Sequence, residues 1–140
     1  MIITAFLVNS FSANNTGGNP AGVVLNADKL TNAEKLTIAK EIGFSETAFV
    51  AQDHEVDFAV SFFTTTEEVD FCGHATLAVF ATLFEQGLLK PGYYTQRTKA
   101  GMLGVTIAAD GQITMEQALP KYLGNFAYDD LAGLLGLDEA

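Results

Sequence analysis

The stretch from Cys72 to Gly87, CGHATLAVFATLFEQG, decides how the rest of the chain is read. Ala75, Leu77, Ala78, Val79, Phe80, Ala81, Leu83 and Phe84 cover every side of a helix running from about His74 to Gln86. A helix that is apolar all round has to be buried. Gly87 supplies the left-handed residue that ends such a helix. The run is too short to cross a bilayer, which takes about 20 apolar residues. A lone buried helix needs cover on all sides, and the flanking sequence offers mainly strands.

Ile3–Phe11, Ala21–Leu25, Glu46–Ala51, Val56–Phe63, Tyr93–Thr98, Leu103–Ala108 and Ile113–Gln117 read as strands, rich in β-branched and aromatic residues. Within Val56–Phe63, Val56, Phe58, Val60 and Phe62 alternate with Asp57, Ala59 and Ser61, which predicts one buried face. Asp110-Gly111 is a hairpin signal, and Asn14–Asn19 is a loop of turn formers. A surface helix opens on the capping box Thr31-Asn32-Ala33-Glu34, carries Ala33, Leu36, Ile38, Ala39 and Ile42, and stops at Gly43. Tyr128–Leu137 reads as a short last helix. The expected fold is therefore α+β: a curved, mostly antiparallel sheet wrapped around a buried central helix of about residues 74–87. Residues 1–140 form a single domain on this reading.

Composition narrows the function classes. Seven Lys and Arg stand against 17 Asp and Glu, a net charge of −10, so the basic footprint of a nucleic-acid binder is missing. Docking on an anionic membrane is disfavoured for the same reason. One cysteine excludes an intrachain disulfide, and the start MIITAFLV lacks the charged n-region of a signal peptide, so a cytoplasmic location is expected. The chain is 49% hydrophobic, rich for its length, and part of that apolar surface is expected to meet a partner.

Two segments carry candidate chemistry. Cys72-Gly73-His74 opens the buried helix, whose first N–H groups lack intrahelical partners and carry the positive end of the dipole. Those groups can hold a carboxylate. Gly73 allows close approach to the backbone, and His74 brings a group that titrates near neutrality. Cys72 is either a small apolar filler or, ahead of a helix N-terminus, a thiol of lowered pKa. In Gly43-Phe44-Ser45-Glu46, the carboxylate stands where a helix hands over to a strand; there it is either a solvated surface group or a general base. The glycine-rich Gly17–Gly22 fits neither phosphate-loop pattern. One Cys and two His at these positions do not make a zinc site, and the acidic runs at 53–70 and 110–140 lack an EF-hand pattern.

GGNPAGVVL, GFSETAFV and FTTTEEVDFCGHATLA, in that order, closely resemble the amino-terminal half of PhzF-like proteins, isomerases of phenazine biosynthesis with the diaminopimelate epimerase fold. The resemblance runs from about Ile2 to Gln117. It implies two lobes, each a sheet around a central helix, with the active site between them, so that residues 1–140 are the amino-terminal half. It implies Glu46 as the catalytic acid/base, with His74 contributing to the catalytic site, and Ser45, Gly73, Cys72 and Asn19 at the substrate. No cofactor or metal is implied. The substrate would be a small carboxylate-bearing metabolite, and the site would be completed by the missing second lobe or by a homodimer. Thr65 stands where such proteins typically carry proline. Related racemases place a catalytic cysteine before a Gly-Asn-Gly segment; His74 in place of Asn makes this chain more PhzF-like. Two other readings remain: a non-catalytic half-domain that binds a carboxylate or a protein, and a Cys72-dependent racemase.

Overall fold

The protein is described by a computed structural model covering residues 2–14 and 16–136. Its strands are β1 (Ala5–Ser10), β2 (Asn19–Val24), β3 (Glu46–Ala51), β4 (Phe58–Phe63), β5 (Glu68–Val69), β6 (Gly92–Thr98), β7 (Gly101–Ile107) and β8 (Ile113–Met115). The helices are α1 (Asn32–Ile42), α2 (Gly73–Glu85) and α3 (Tyr128–Leu135), with one 3-10 turn at Ala27–Lys29. All eight strands join one sheet in the order β1-β2-β3-β4-β6-β7-β8, with β5 paired to β4. The sheet is mixed. β2 with β3 and β4 with β6 are parallel, and the other pairs are antiparallel. Parallel neighbours need a crossover. The two long helices lie on those crossovers, α1 between β2 and β3 and α2 between β4 and β6.

The crossovers bury opposite faces of the sheet. Val23, Ala48, Val50, Val60 and Phe62 form one cluster with Ala75, Ala78, Val79, Phe80 and Leu83 of α2. Their sequence neighbours Val24, Phe49 and Phe63 form a second with Ala39, packed against Leu36 and Ile38 of α1. Phe49 and Phe63 meet edge to face at 5.5 Å. The one buried face expected for Val56–Phe63 is thus corrected. The strand starts at Phe58, and Phe63 is buried on the face that α1 covers. Thr31 and Glu34 make the predicted capping box, and Gly43 ends α1 with φ +75.

α2 packs against β1, β2, β3 and β8. Since β1 and β8 are the two ends of the sheet's path, the sheet curls around this helix. Seven α2 residues are buried, from Ala75 to Leu83. Leu77, Ala81 and Phe84 are half-buried, so one stripe is less covered than an all-round apolar helix predicts. The helix also sits slightly earlier than expected: Cys72 is its N-cap and Gln86 its C-cap, and Gly87, φ +70, lies beyond the end.

The middle of the sheet has a short joint. β4 and β6 pair over two positions, Phe58 with Gln96 and Ala59 with Arg97. Side chains reinforce it: Asp57 accepts from the N–H and hydroxyl of Thr95, and Arg97 bonds Asp53 and Glu55. After β8, residues 116–127 run without regular structure and expose Leu119, Tyr122, Leu123 and Phe126. The helix expected at Tyr128–Leu137 is present as α3; Leu137 lies outside the described residues.

Candidate active site

Glu46 and His74 reach one another because of where their elements begin. Gly43 stops α1 in the left-handed region, so the chain reverses at once into β3, whose first residue is Glu46. The parallel register sets Glu46 opposite Ala21 of β2. α2 is seated on β2 and β3 and begins at Gly73, which brings His74 to that end of the sheet. Nε2 of His74 lies 3.3 Å from Oε2 of Glu46. The His74 side chain is only 10% exposed and that of Glu46 22%. Although close enough to pair as charges, the two do not form a well-directed hydrogen bond. Nε2 is left buried without a hydrogen-bond partner.

The other ring edge is occupied. Nδ1 of His74 lies 3.2 Å from Sγ of Cys72. The backbone here is pinned from two sides. Ser10 at the end of β1 donates its hydroxyl to the His74 carbonyl at 2.7 Å, and Thr76 donates to the Cys72 carbonyl at 2.9 Å. Gln96 is fully buried, and its amide reaches the Thr76 hydroxyl at 3.5 Å. Neither Ser10, Thr76 nor Gln96 is singled out by the sequence. A serine at a strand end or a threonine inside an apolar helix carries no local sign of a contact across the fold.

Of the two readings of Cys72, the thiol of lowered pKa is not supported. Burial, the largest influence, pushes the thiol up to about 11; the Ala75 N–H opposes this, and the Glu46 charge adds to it. Desolvation outweighs the helix N-terminus here. A Cβ at Gly73 would lie 2.9 Å from the terminal methyl of Met115, so the flexible end of that side chain covers the glycine. Ser45 is exposed beside Glu46. Asn19 opens β2 and pairs with Ser10, which ties it to the same end of the sheet. The structure thus brings Glu46, Cys72 and His74 together, with Ser45 and Gly73 their neighbours in the chain and Asn19 paired to Ser10, whose hydroxyl bonds the His74 carbonyl. Recesses such as the one of about 210 Å³ lined by Leu25, Asp28, Val50, Phe58, Leu83 and Leu88 lie away from this cluster.

Donor atoms of Glu46, Cys72 and His74 all fall within 4.8 Å of one another, the spacing of a metal trio. The imidazole, however, meets the thiol with Nδ1 and the carboxylate with Nε2, on opposite ring edges. One ion cannot take all three through these contacts. The helix N-terminus also favours an anion over a cation. The arrangement suits proton chemistry: a carboxylate, an imidazole and a neutral thiol at a helix N-terminus whose His74 and Ala75 N–H groups face that thiol.

Glu46, Cys72 and His74 thus meet at the N-terminus of the helix around which a mixed sheet curls. The family profile of PhzC-PhzF, phenazine biosynthesis-like protein, matches residues 8–127, and the chain belongs to this family. It is similar to the uncharacterized isomerase YfhB of Bacillus subtilis, 43% identical over 81% of this chain and 40% of that protein. The crystal structure of the PhzF-family phenazine biosynthesis protein of Bacillus anthracis superposes with a TM-score of 0.74 at 37% identity, over 82% of this chain and 40% of that one. A hydroxyproline epimerase from Agrobacterium vitis shares the fold alone, with a TM-score of 0.61 at 14% identity over 81% of this chain and 40% of its own. The chain therefore spans about two fifths of the length of these relatives. Among the described residues, no helix is long and apolar enough to cross a membrane.

Proposed function

We propose that this chain is the amino-terminal lobe, residues 1–140, of a cofactor-independent isomerase that moves a proton on a small carboxylate-bearing metabolite. The observation that carries the proposal is the contact of Glu46 with His74, 3.3 Å apart and largely buried, at the start of α2. The α2 N–H groups hold the substrate carboxylate and stabilise the charge that develops on it. Glu46 takes a proton from the carbon beside an activating group. The electron pair moves into the conjugated system, and a proton is returned at another carbon, so no oxidant or reductant is consumed. Ser45 and Asn19 line the substrate's side of the cleft. A second lobe, or a second copy of the chain in a cytoplasmic homodimer, closes the cleft over this cluster. The exposed Leu119, Tyr122, Leu123 and Phe126 supply apolar surface for such a contact.

A Cys72-dependent racemase is supported less well, because a thiol pushed up to about 11 is protonated at neutral pH and is a poor base. A carboxylate-binding half-domain without turnover would use the same α2 N-terminus as an anion site and leave Glu46 without a proton to move. The test is deuterium wash-in from D2O into a panel of small unsaturated carboxylic acids, followed by mass spectrometry alongside the oligomeric mass in solution. Glu46→Gln keeps the shape of the side chain but cannot accept the proton. Wash-in is expected to fall by about 10²–10⁴-fold. A Glu46→Gln chain that exchanges at the wild-type rate would overturn the assignment. Carboxylate binding with no exchange in the wild type would favour the half-domain.

A further inference from the structure

We infer that Cys72 is a positioning residue whose S–H bonds Nδ1 of His74 and holds the neutral imidazole as the Nε2–H tautomer. His74 is then the hydrogen-bond donor of the site, and Glu46 is left as its proton acceptor. The catalytic side of this inference rests on the proton-transfer reading above; the tautomer assignment stands on geometry alone.

Sγ and Nδ1 are 3.2 Å apart, a distance that admits either direction of donation. The opposite edge of the ring decides between them. If Nδ1 carried the proton, an unprotonated, electron-rich Nε2 would stand 3.3 Å from the Glu46 carboxylate oxygen. Two acceptors held that close, in a side chain 90% removed from solvent, repel one another. With the proton on Nε2, the thiol donates to Nδ1, and the positive end of the N–H lies near the carboxylate without a directed bond to it. The thiol has a proton to give, because its surroundings keep it neutral at physiological pH. A neutral imidazole has one donor and one acceptor nitrogen, and the partner of one nitrogen fixes the role of the other.

Nε2 is buried and has no well-directed bond within the protein. A buried donor left in this state costs stability. The unmet N–H, beside the α2 terminus, is where a substrate oxygen completes the set. As Glu46 withdraws the proton, charge builds on that oxygen and the Nε2–H bond strengthens with it. Backbone contacts do not substitute for the thiol: the Ser10 and Thr76 hydroxyls hold the carbonyls of His74 and Cys72 and leave the ring free to exchange tautomers.

The test is a long-range proton–nitrogen correlation spectrum of 15N-histidine protein at about pH 8.5, where an ordinary imidazole is neutral. His54, exposed in the turn before β4, gives the second ring signal and is assigned by its loss in His54→Gln. Wild-type His74 is expected to show one neutral tautomer, protonated at Nε2. Cys72→Ala should lose that single pattern and show averaged nitrogens, and Cys72→Ser, which restores an O–H donor, should recover it. An Nδ1-protonated wild type, or a Cys72→Ala spectrum identical to the wild type, overturns the inference. The wild-type measurement stands even if a variant fails to fold. If the Nε2–H pattern is present and no acid exchanges deuterium, the proton-transfer reading fails and the tautomer assignment survives.

Discussion

Truncating Phe80 to alanine removes the side chain on which both the core and the seat of the site depend. Phe80 is fully buried in the middle of α2. Its ring meets Phe58 of β4 edge to face, with centroids 6.0 Å apart at 82°, and lies against Tyr94 of β6 at 6.4 Å. It therefore touches both strands of the short parallel joint. Phenylalanine-to-alanine changes in cores cost about 3–5 kcal/mol through lost transfer energy and the cavity left behind. The cavity here opens between a helix and a two-position strand pairing, a site that cannot collapse without parting β4 from β6. We expect a loss near the top of that range, about 4–5 kcal/mol, against a total stability of about 5–15 kcal/mol for a domain. At about 3 °C per kcal/mol for a chain of this size, the midpoint falls by about 12–15 °C. Urea titration and a thermal melt followed by circular dichroism read both quantities. Leu7→Ala, at an exposed β1 position, is the control and should move stability by less than about 0.5 kcal/mol. A Phe80→Ala chain destabilised by under about 1 kcal/mol would refute the placement of α2 as the packing centre.

Thr31→Ala should cost about 1 kcal/mol in urea titration, since it removes one side of the α1 capping box. The Arg97 guanidinium and the Glu55 N–H hold the Asp53 carboxyl well below its ordinary range. A depressed carboxylate stabilises above its unfolded pKa of about 4, and the contribution is lost as pH falls through the lower folded value. The stability gap between wild type and Asp53→Asn should stay level from pH 7 to about 4 and close below that. Cys72 should be alkylated by iodoacetamide far more slowly at pH 8 than an unfolded control, with a rate that climbs toward pH 11. A midpoint near the ordinary thiol value of about 8.5 would contradict the buried, carboxylate-facing environment described for it.

What the sequence made legible, and what it did not, follows the range of the forces involved. α1 was readable to the residue because its signals are local: Thr31, Glu34 and Gly43 act within one turn. Glu46 was readable as a candidate because Gly43 ends the helix and the strand begins three residues later. α2 was readable from its composition, but the half-buried stripe of Leu77, Ala81 and Phe84 depends on where the sheet edges fall. Alternation in Val56–Phe63 misled because α1 folds over the reverse face of β4 and buries Phe63 there. The two-residue β5 carries too little pattern to be seen. The Cys72 thiol shows the limit most clearly. Its position before a helix argues for acidity, while its burial and its proximity to Glu46 argue more strongly the other way. Only the assembled fold contains those two influences.

The two-position pairing of β4 with β6 gives the sheet a seam, and seams determine where a protein opens first. Amide hydrogen exchange reads such openings as blocks of residues that lose protection together. On one side lie β1 to β5, which carry Glu46; on the other lie β6 to β8, whose Met115 covers Gly73. Release of the second block, held by Asp57–Thr95, the Arg97 pairs and the packing of Tyr94, Val105 and Ile107 against α2, would bare the first turn of α2 while β3 stayed paired on both sides. The carboxylate and the helix terminus that faces it would then differ in exchange lifetime, although their side chains touch.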